Sequence, residues 1–252
     1  MKKKLIFILF FILLIRCSEN DNNPTNTIIS VSFNFVHHWD GIPINNNDFN
    51  SFQFTNANGE VISIERLRYL VSNFNLISTN QPFNSDAYYL IDVGQDENLS
   101  FIVAQDITAG SYSAISFTFG FSNENNIDGA YTDLNSANFN VPVILGGGYH
   151  YMQFDGEYLD SNDEEQPFNY HTIRAVDNPG ANPTFPQDTF FEVNLGSLNL
   201  TQDTTIDVNV NISEWFKNPH TWDLNVLNTV LMPNSSAQIL MYDNGQNVFS
   251  LE

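Results

Sequence analysis

Residues Val31 to Asp40 repeat with a period of two. Val31, Phe33, Phe35, His37 and Trp39 fall on one side, and Ser32, Asn34, Val36, His38 and Asp40 fall on the other. An extended strand gives such residues a common face, so this stretch fixes a strand with one apolar side. His37 and Trp39 share that side, and the strand runs into a turn at Gly41. A half-buried imidazole beside an indole is a place where a soft metal ion could be held. A single histidine on an apolar face is more often a core residue satisfied by a carbonyl.

The rest of the chain reads as further strands and turns. Phe49 to Thr55 is a strand closed by Asn58-Gly59, and Glu60 to Ser78 is either two strands or one bent strand. Ala87 to Val93 and Leu99 to Ala104 read as a pair. Tyr112 to Phe121 alternates between Gly110 and Gly120. Strands follow at Tyr149 to Phe154, Phe168 to Val176, Thr189 to Leu200 and Thr204 to Ile212. Asn123 to Asn140, Asp160 to Gln166 and the proline-rich residues 177–188 read as loops. Short strands with turns at this spacing predict a sandwich or a barrel. Helix is predicted only near the end. One turn starts at Ser213 and is stopped by Pro219, and a longer one over Ser235 to Tyr242 is capped by Asn234 and closed by Asn244-Gly245. No linker divides residues 28–252, so they are read as one domain.

The first 27 residues differ in kind. Met1 to Lys4 is basic, and Leu5 to Ile15 is an unbroken apolar run too short to span a bilayer. Residues 1–16 therefore read as a signal peptide. Cys17, the single cysteine, follows at once and resembles the lipidated residue of a bacterial lipoprotein, with Arg16 standing where a small residue is usual. Ser18 to Thr27 is polar and Asn-rich, a tether with too little apolar content to fold. A cell-envelope lipoprotein anchored to the outer membrane, periplasmic or surface-exposed, is the expectation. The lipid is its only membrane contact.

Beyond residue 16 the cations are Arg66, Arg68, Arg174 and Lys217, set against 29 acidic residues. Such a chain repels phosphate backbones, which argues against nucleic-acid binding, and it favours cationic partners, metal ions among them. Arg66 and Arg68 are expected to pair with nearby carboxylates. With one cysteine, no internal disulfide is possible, so an apolar core must supply the stability.

Five histidines are present. Alternation places His150 with Met152 and Phe154, and His171 with Ile173 and Ala175, so His37, His150 and His171 all lie on faces that carry apolar residues. His38 lies opposite His37, and His220 follows Pro219 in a loop. Imidazole and thioether donors suit copper, whereas Ca²⁺ needs oxygen ligands. No His-x-x-x-His, cysteine pair or EF-hand loop strengthens the signal.

Several segments occur in an order that resembles the MbnP-like copper-binding domain of exported bacterial proteins. They are Phe33 to Gly41, Asn56 to Gly59, Ile64 to Asn73, Tyr89 to Asp92, Gly110 to Phe121, Gly148 to Gly156 and Phe168 to His171. The similarity spans most of residues 28–250. The resemblance implies a β-sandwich-like body and one copper ion held by histidines, with a tryptophan oxidised to kynurenine in some relatives. It matches His37 and His171 to ligands, adds His150 as a third candidate and Met152 as a soft one, and makes Trp39 the neighbour for oxidation or shielding. Alternation favours His37 over His38 as the first ligand. The Met-Phe-Trp run usual before the Gly-Tyr strand is replaced by Asn138-Phe139-Asn140-Val141-Pro142.

The expectation is therefore all-β. It is an immunoglobulin-like β-sandwich single domain with a short C-terminal helix, binding one copper ion for acquisition, storage or delivery, with a haem enzyme or a transporter as partner. The competing class is a surface module for carbohydrate or protein, with Trp215, Trp222 and Tyr131 lining a groove and structural Ca²⁺ in the acidic loops. An enzyme is not expected, since no Gly-x-Ser-x-Gly turn, phosphate loop or Ser/His/Asp set is present.

Overall fold

The computed structural model describes residues 27–79 and 81–251. Residues 1–16, read from sequence as a signal peptide, Cys17, and all but Thr27 of the expected tether lie outside the described residues. The strands are β1 (Ile28–Trp39), β2 (Ile42–Pro43), β3 (Phe52–Thr55), β4 (Val61–Ile77), β5 (Phe83–Asp92), β6 (Ser100–Thr108), β7 (Gly110–Tyr112) and β8 (Ala114–Phe119). They continue as β9 (Met152–Leu159), β10 (Glu165–Thr172), β11 (Phe191–Asn194), β12 (Leu198–Leu200), β13 (Thr204–Asn211) and β14 (Phe249–Leu251). A short helix α1 (Thr132–Ser136) lies inside the long polar loop, and α2 (Ser235–Gly245) precedes β14.

A five-stranded sheet is built on β1. β13 pairs with it in parallel on one edge, and β6 and then β2 pair with it on the other. Asp40 and Gly41 both take positive φ, 46° and 86°, in the two-residue loop joining β1 to β2. That is the hairpin turn whose twist matches the strands, and Asp-Gly is its favoured sequence. A seven-stranded sheet is built on β4, the 17-residue spine. β9 and then β8 line one edge of β4, while β3 and then β5 line the other. The register slips around Asn73, at φ 51°, so Glu60 to Ser78 resolves as one bent strand. β7 and β12 form a separate two-stranded ribbon.

The inner faces of the two sheets meet in an aromatic core. Phe33 packs edge-on against Phe74 at 5.5 Å, and Phe35 against Phe117 at 5.5 Å. Phe249 of β14 closes on Tyr69 and Phe119. Such rings contribute large apolar areas in favourable edge geometry. This all-β sandwich bears out the expected fold class. β5 and β6 are not the expected pair. β5 joins β4 and β6 joins β1, so these sequence neighbours belong to different sheets.

Trp215 and Trp222 are buried, which leaves neither free to line a groove. The Tyr170 hydroxyl donates to the Trp215 carbonyl, and the Trp222 indole donates to the Leu227 carbonyl. The C-terminal segment is thereby packed onto β10. The Asn234 side chain accepts from the Ala237 N–H and caps α2, as its sequence position predicts. Among the described residues no helix is long and apolar enough to cross a membrane.

Candidate metal centre

β9 and β10 present two kinds of face. Met152, Phe154 and Tyr170 point into the core, while Gln153, Asp155, Asn169 and His171 point away from it. The C-terminal segment and residues 139–145 cover part of that outer face. There Val141, Leu145, Ile173 and Val176 form a small apolar cluster with Phe185 and Met232 against it.

His171 is held by Asp155. Its Nε2 lies 2.7 Å from Asp155 Oδ1. The same carboxylate accepts from Asn169 Nδ2 at 2.6 Å and from Arg66 Nε at 2.6 Å. Burial opposes ionisation of Asp155, but the hydrogen bonds from His171 and Asn169 and the charges of His171 and Arg66 outweigh it and hold its carboxyl below the usual range. With Nε2 donating to an ionised carboxylate, Nδ1 of His171 is left as the donor atom for a metal. Arg66 thus pairs with a carboxylate as expected from sequence. Arg68 instead donates to Gln153 Oε1 and to the Ala137 carbonyl.

His150 stands just before β9. Its backbone N–H and its ring Nδ1 both lie 2.9 Å from the Phe139 carbonyl. A carbonyl only accepts, so Nδ1 carries the proton and Nε2 carries the lone pair. Nε2 points at Met232 Sδ, 3.2 Å away. Burial lowers the His150 pKa to about 4, which keeps the ring neutral and ready to donate. The His150 and His171 rings meet edge-on with centroids 5.3 Å apart. Arg66, Asp155, Asn169, His171, Leu231 and Met232 line a surface pocket of about 210 Å³ beside them.

The other candidates lie elsewhere. His37 is in the inter-sheet core, with Nε2 2.8 Å from the Tyr69 hydroxyl. Burial, aided by the neighbouring His38 charge, lowers its pKa to about 3. Tyr69 and Arg68 are successive residues of β4, so His37 and His171 stand on opposite faces of the seven-stranded sheet. Met152 is fully buried on the inner face. Trp39 is stacked against Phe54 and Phe216 at 5.2 and 5.8 Å, and its indole donates to the Thr55 carbonyl. His38 Nδ1 accepts from the Gly41 N–H in the hairpin turn. Of the sequence candidates, the fold brings together His150 and His171, and it separates them from His37, Met152 and Trp39.

Met232 and Asp155 join the cluster without a sequence signal. Met232 lies 82 positions from His150, in a loop with no periodicity. Among the described residues no group of three His, Cys, Asp or Glu side chains gathers as a metal cage. The cluster is two imidazoles and a thioether, a donor set suited to soft or borderline ions rather than to hard cations. The acidic loops are occupied by their own backbone. Asn126 and Asp128 accept from the Tyr149 and Gly148 N–H groups, and Asp160 accepts from Asn162 and Glu164.

Comparison with known proteins gives a consistent frame. No curated protein matches the chain. Among solved structures, MbnP from Methylosinus trichosporium superposes with a TM-score of 0.52, at 13% identity, over 77% of this chain and 80% of that one. At that identity the likeness shows the fold. The MbnP family model matches residues 29–234, so the chain belongs to the MbnP family.

Proposed function

We propose that this protein binds a single copper ion at the His150–His171 cluster, as an envelope lipoprotein anchored through Cys17. Its task is to acquire, store or deliver the metal rather than to catalyse a reaction. One observation carries the reading. The His150 ring is held by the Phe139 carbonyl so that the Nε2 lone pair, not a proton, faces Met232 Sδ, and Met232 in turn lines the pocket. His171 is oriented by an ionised carboxylate in the manner of metal-ligating histidines. Family membership and the resemblance of the chain to copper-binding relatives favour copper over zinc, as does the Irving–Williams order for imidazole sites. The negative charge of the chain draws cations towards it.

The test is equilibrium dialysis of the purified protein against copper, with metal counted by mass spectrometry. One copper per chain is expected, with His150→Ala and His171→Ala each lowering affinity by about tenfold or more. Wild-type protein without copper, or His150→Ala and His171→Ala variants that bind as well as wild type, would overturn the reading.

A further inference from the structure

The contact between His150 and Met232 is not an ordinary hydrogen bond. The Phe139 carbonyl lies 2.9 Å from His150 Nδ1, closer than the Gln153 amide nitrogen at 3.4 Å, and assigns the proton to Nδ1; at 3.2 Å an imidazole lone pair then faces a thioether sulfur, two acceptors with no donor between them. Such a pair gains nothing from the approach unless a cation lies there.

The loop is built to make that approach. Val230 is a β-branched residue at φ 58°, a left-handed conformation that strains such a side chain. Its side chain is exposed, so packing does not explain the strain. The turn it makes buries Leu231 and brings Met232 onto His150. Gln238 of α2 then fastens both parts of the site. Its Nε2 donates to the Leu231 carbonyl and to the His171 carbonyl, while its Oε1 accepts from the Ile173 N–H. One buried amide therefore fixes the thioether loop and the His171 backbone in a common frame, the arrangement expected of a preorganised site.

We infer that Met232 is a third donor to the metal, and that the site selects Cu(I) over Cu(II), Zn²⁺ and Ca²⁺. The inference rests on the copper reading above. None of the donors His150 Nε2, His171 Nδ1 and Met232 Sδ brings a negative charge, and the one carboxylate at hand is engaged by Arg66, Asn169 and His171. Such a donor set favours a monovalent ion over a divalent one, and a thioether is a soft donor that favours Cu(I).

The experiment compares wild type with Met232→Leu, a swap of similar volume. Both carry Cys17→Ser so that no thiol competes. Cu(I) affinity is read against a chromophoric Cu(I) chelator under anaerobic conditions and Cu(II) affinity against glycine. X-ray absorption reports sulfur in the copper shell. Met232→Leu is expected to lower Cu(I) affinity by ~10–100-fold, to leave Cu(II) affinity within about threefold, and to remove the sulfur signal. Unchanged Cu(I) affinity in Met232→Leu, together with loss in His150→Ala, would overturn the thioether role and leave the copper site standing. Copper binding indifferent to both His150→Ala and His171→Ala would overturn both.

Discussion

Acidification of the metal-free protein puts the burial of His37 to a quantitative test. Its ring lies between the sheets and stays neutral in the folded chain until the pH reaches about 3. An unfolded histidine takes its proton near pH 6.5. Above that value neither state is charged and the contribution to stability is complete. Between pH 6.5 and about 3 the unfolded chain binds a proton that the folded chain refuses, so stability falls with pH across that window. At about pH 4.5 the difference is roughly two pH units, or ~2.7 kcal/mol at 1.36 kcal/mol per unit. His150 behaves in the same way down to about 4, so His37 must be isolated by difference. His37→Gln removes the titration while leaving an amide to bond the Tyr69 hydroxyl. Urea unfolding followed by tryptophan fluorescence, in the presence of a chelator, gives the free energy at neutral pH and at about pH 4.5. Wild type is expected to lose ~2–3 kcal/mol more than the variant over that interval. Parallel pH profiles would refute the argument, since they would mean that His37 takes its proton without unfolding. The same variant is expected to bind copper as wild type does, because His37 faces the core and not the pocket.

Three further expectations follow from individual contacts. A Cβ at Gly156 would lie 2.0 Å from the Ser63 carbonyl, so Gly156→Ala must part β9 from β4; a loss above about 4 kcal/mol, read as insolubility or a collapsed melting temperature, is expected. Val230→Gly removes the cost of the left-handed backbone at an exposed position and is expected to raise unfolding stability by up to ~1 kcal/mol in calorimetry. Asp155→Asn removes the charge that orients His171, and copper affinity is expected to drop ~10–100-fold with the far-ultraviolet spectrum unchanged.

Much of the frame was legible in the residues, for local reasons. The period of two from Val31 to Trp39 reports a strand and its buried side. Asp40-Gly41 reports its hairpin, and Asn234 reports the start of α2. The pairing of β5 with β4 rather than β6 was not legible, because alternation says which face is buried and not which strand lies alongside. The same limit governs the histidines. In the sequence His37 and His171 each alternate with apolar residues, but one looks into the space between the sheets and the other onto the polar outer face beneath the C-terminal segment. A rule of alternation treats them alike. The pairing of Met232 with His150 depends on where a loop returns after five intervening strands, and no local pattern encodes that.

The parallel pairing of β1 with β13 has a consequence in time. Asn34 and Asp207 hydrogen-bond across 173 residues, so the first strand of the sandwich waits for nearly the last before its sheet can close. Contacts at such separation make folding slow and late. While synthesis continues, the aromatic face of β1 has only β2 and β6 beside it, and the parent sheet is half-built. Loss of residues 204–252 would therefore remove more than a trailing edge. It would open the sandwich at its opposite end, where the chain begins.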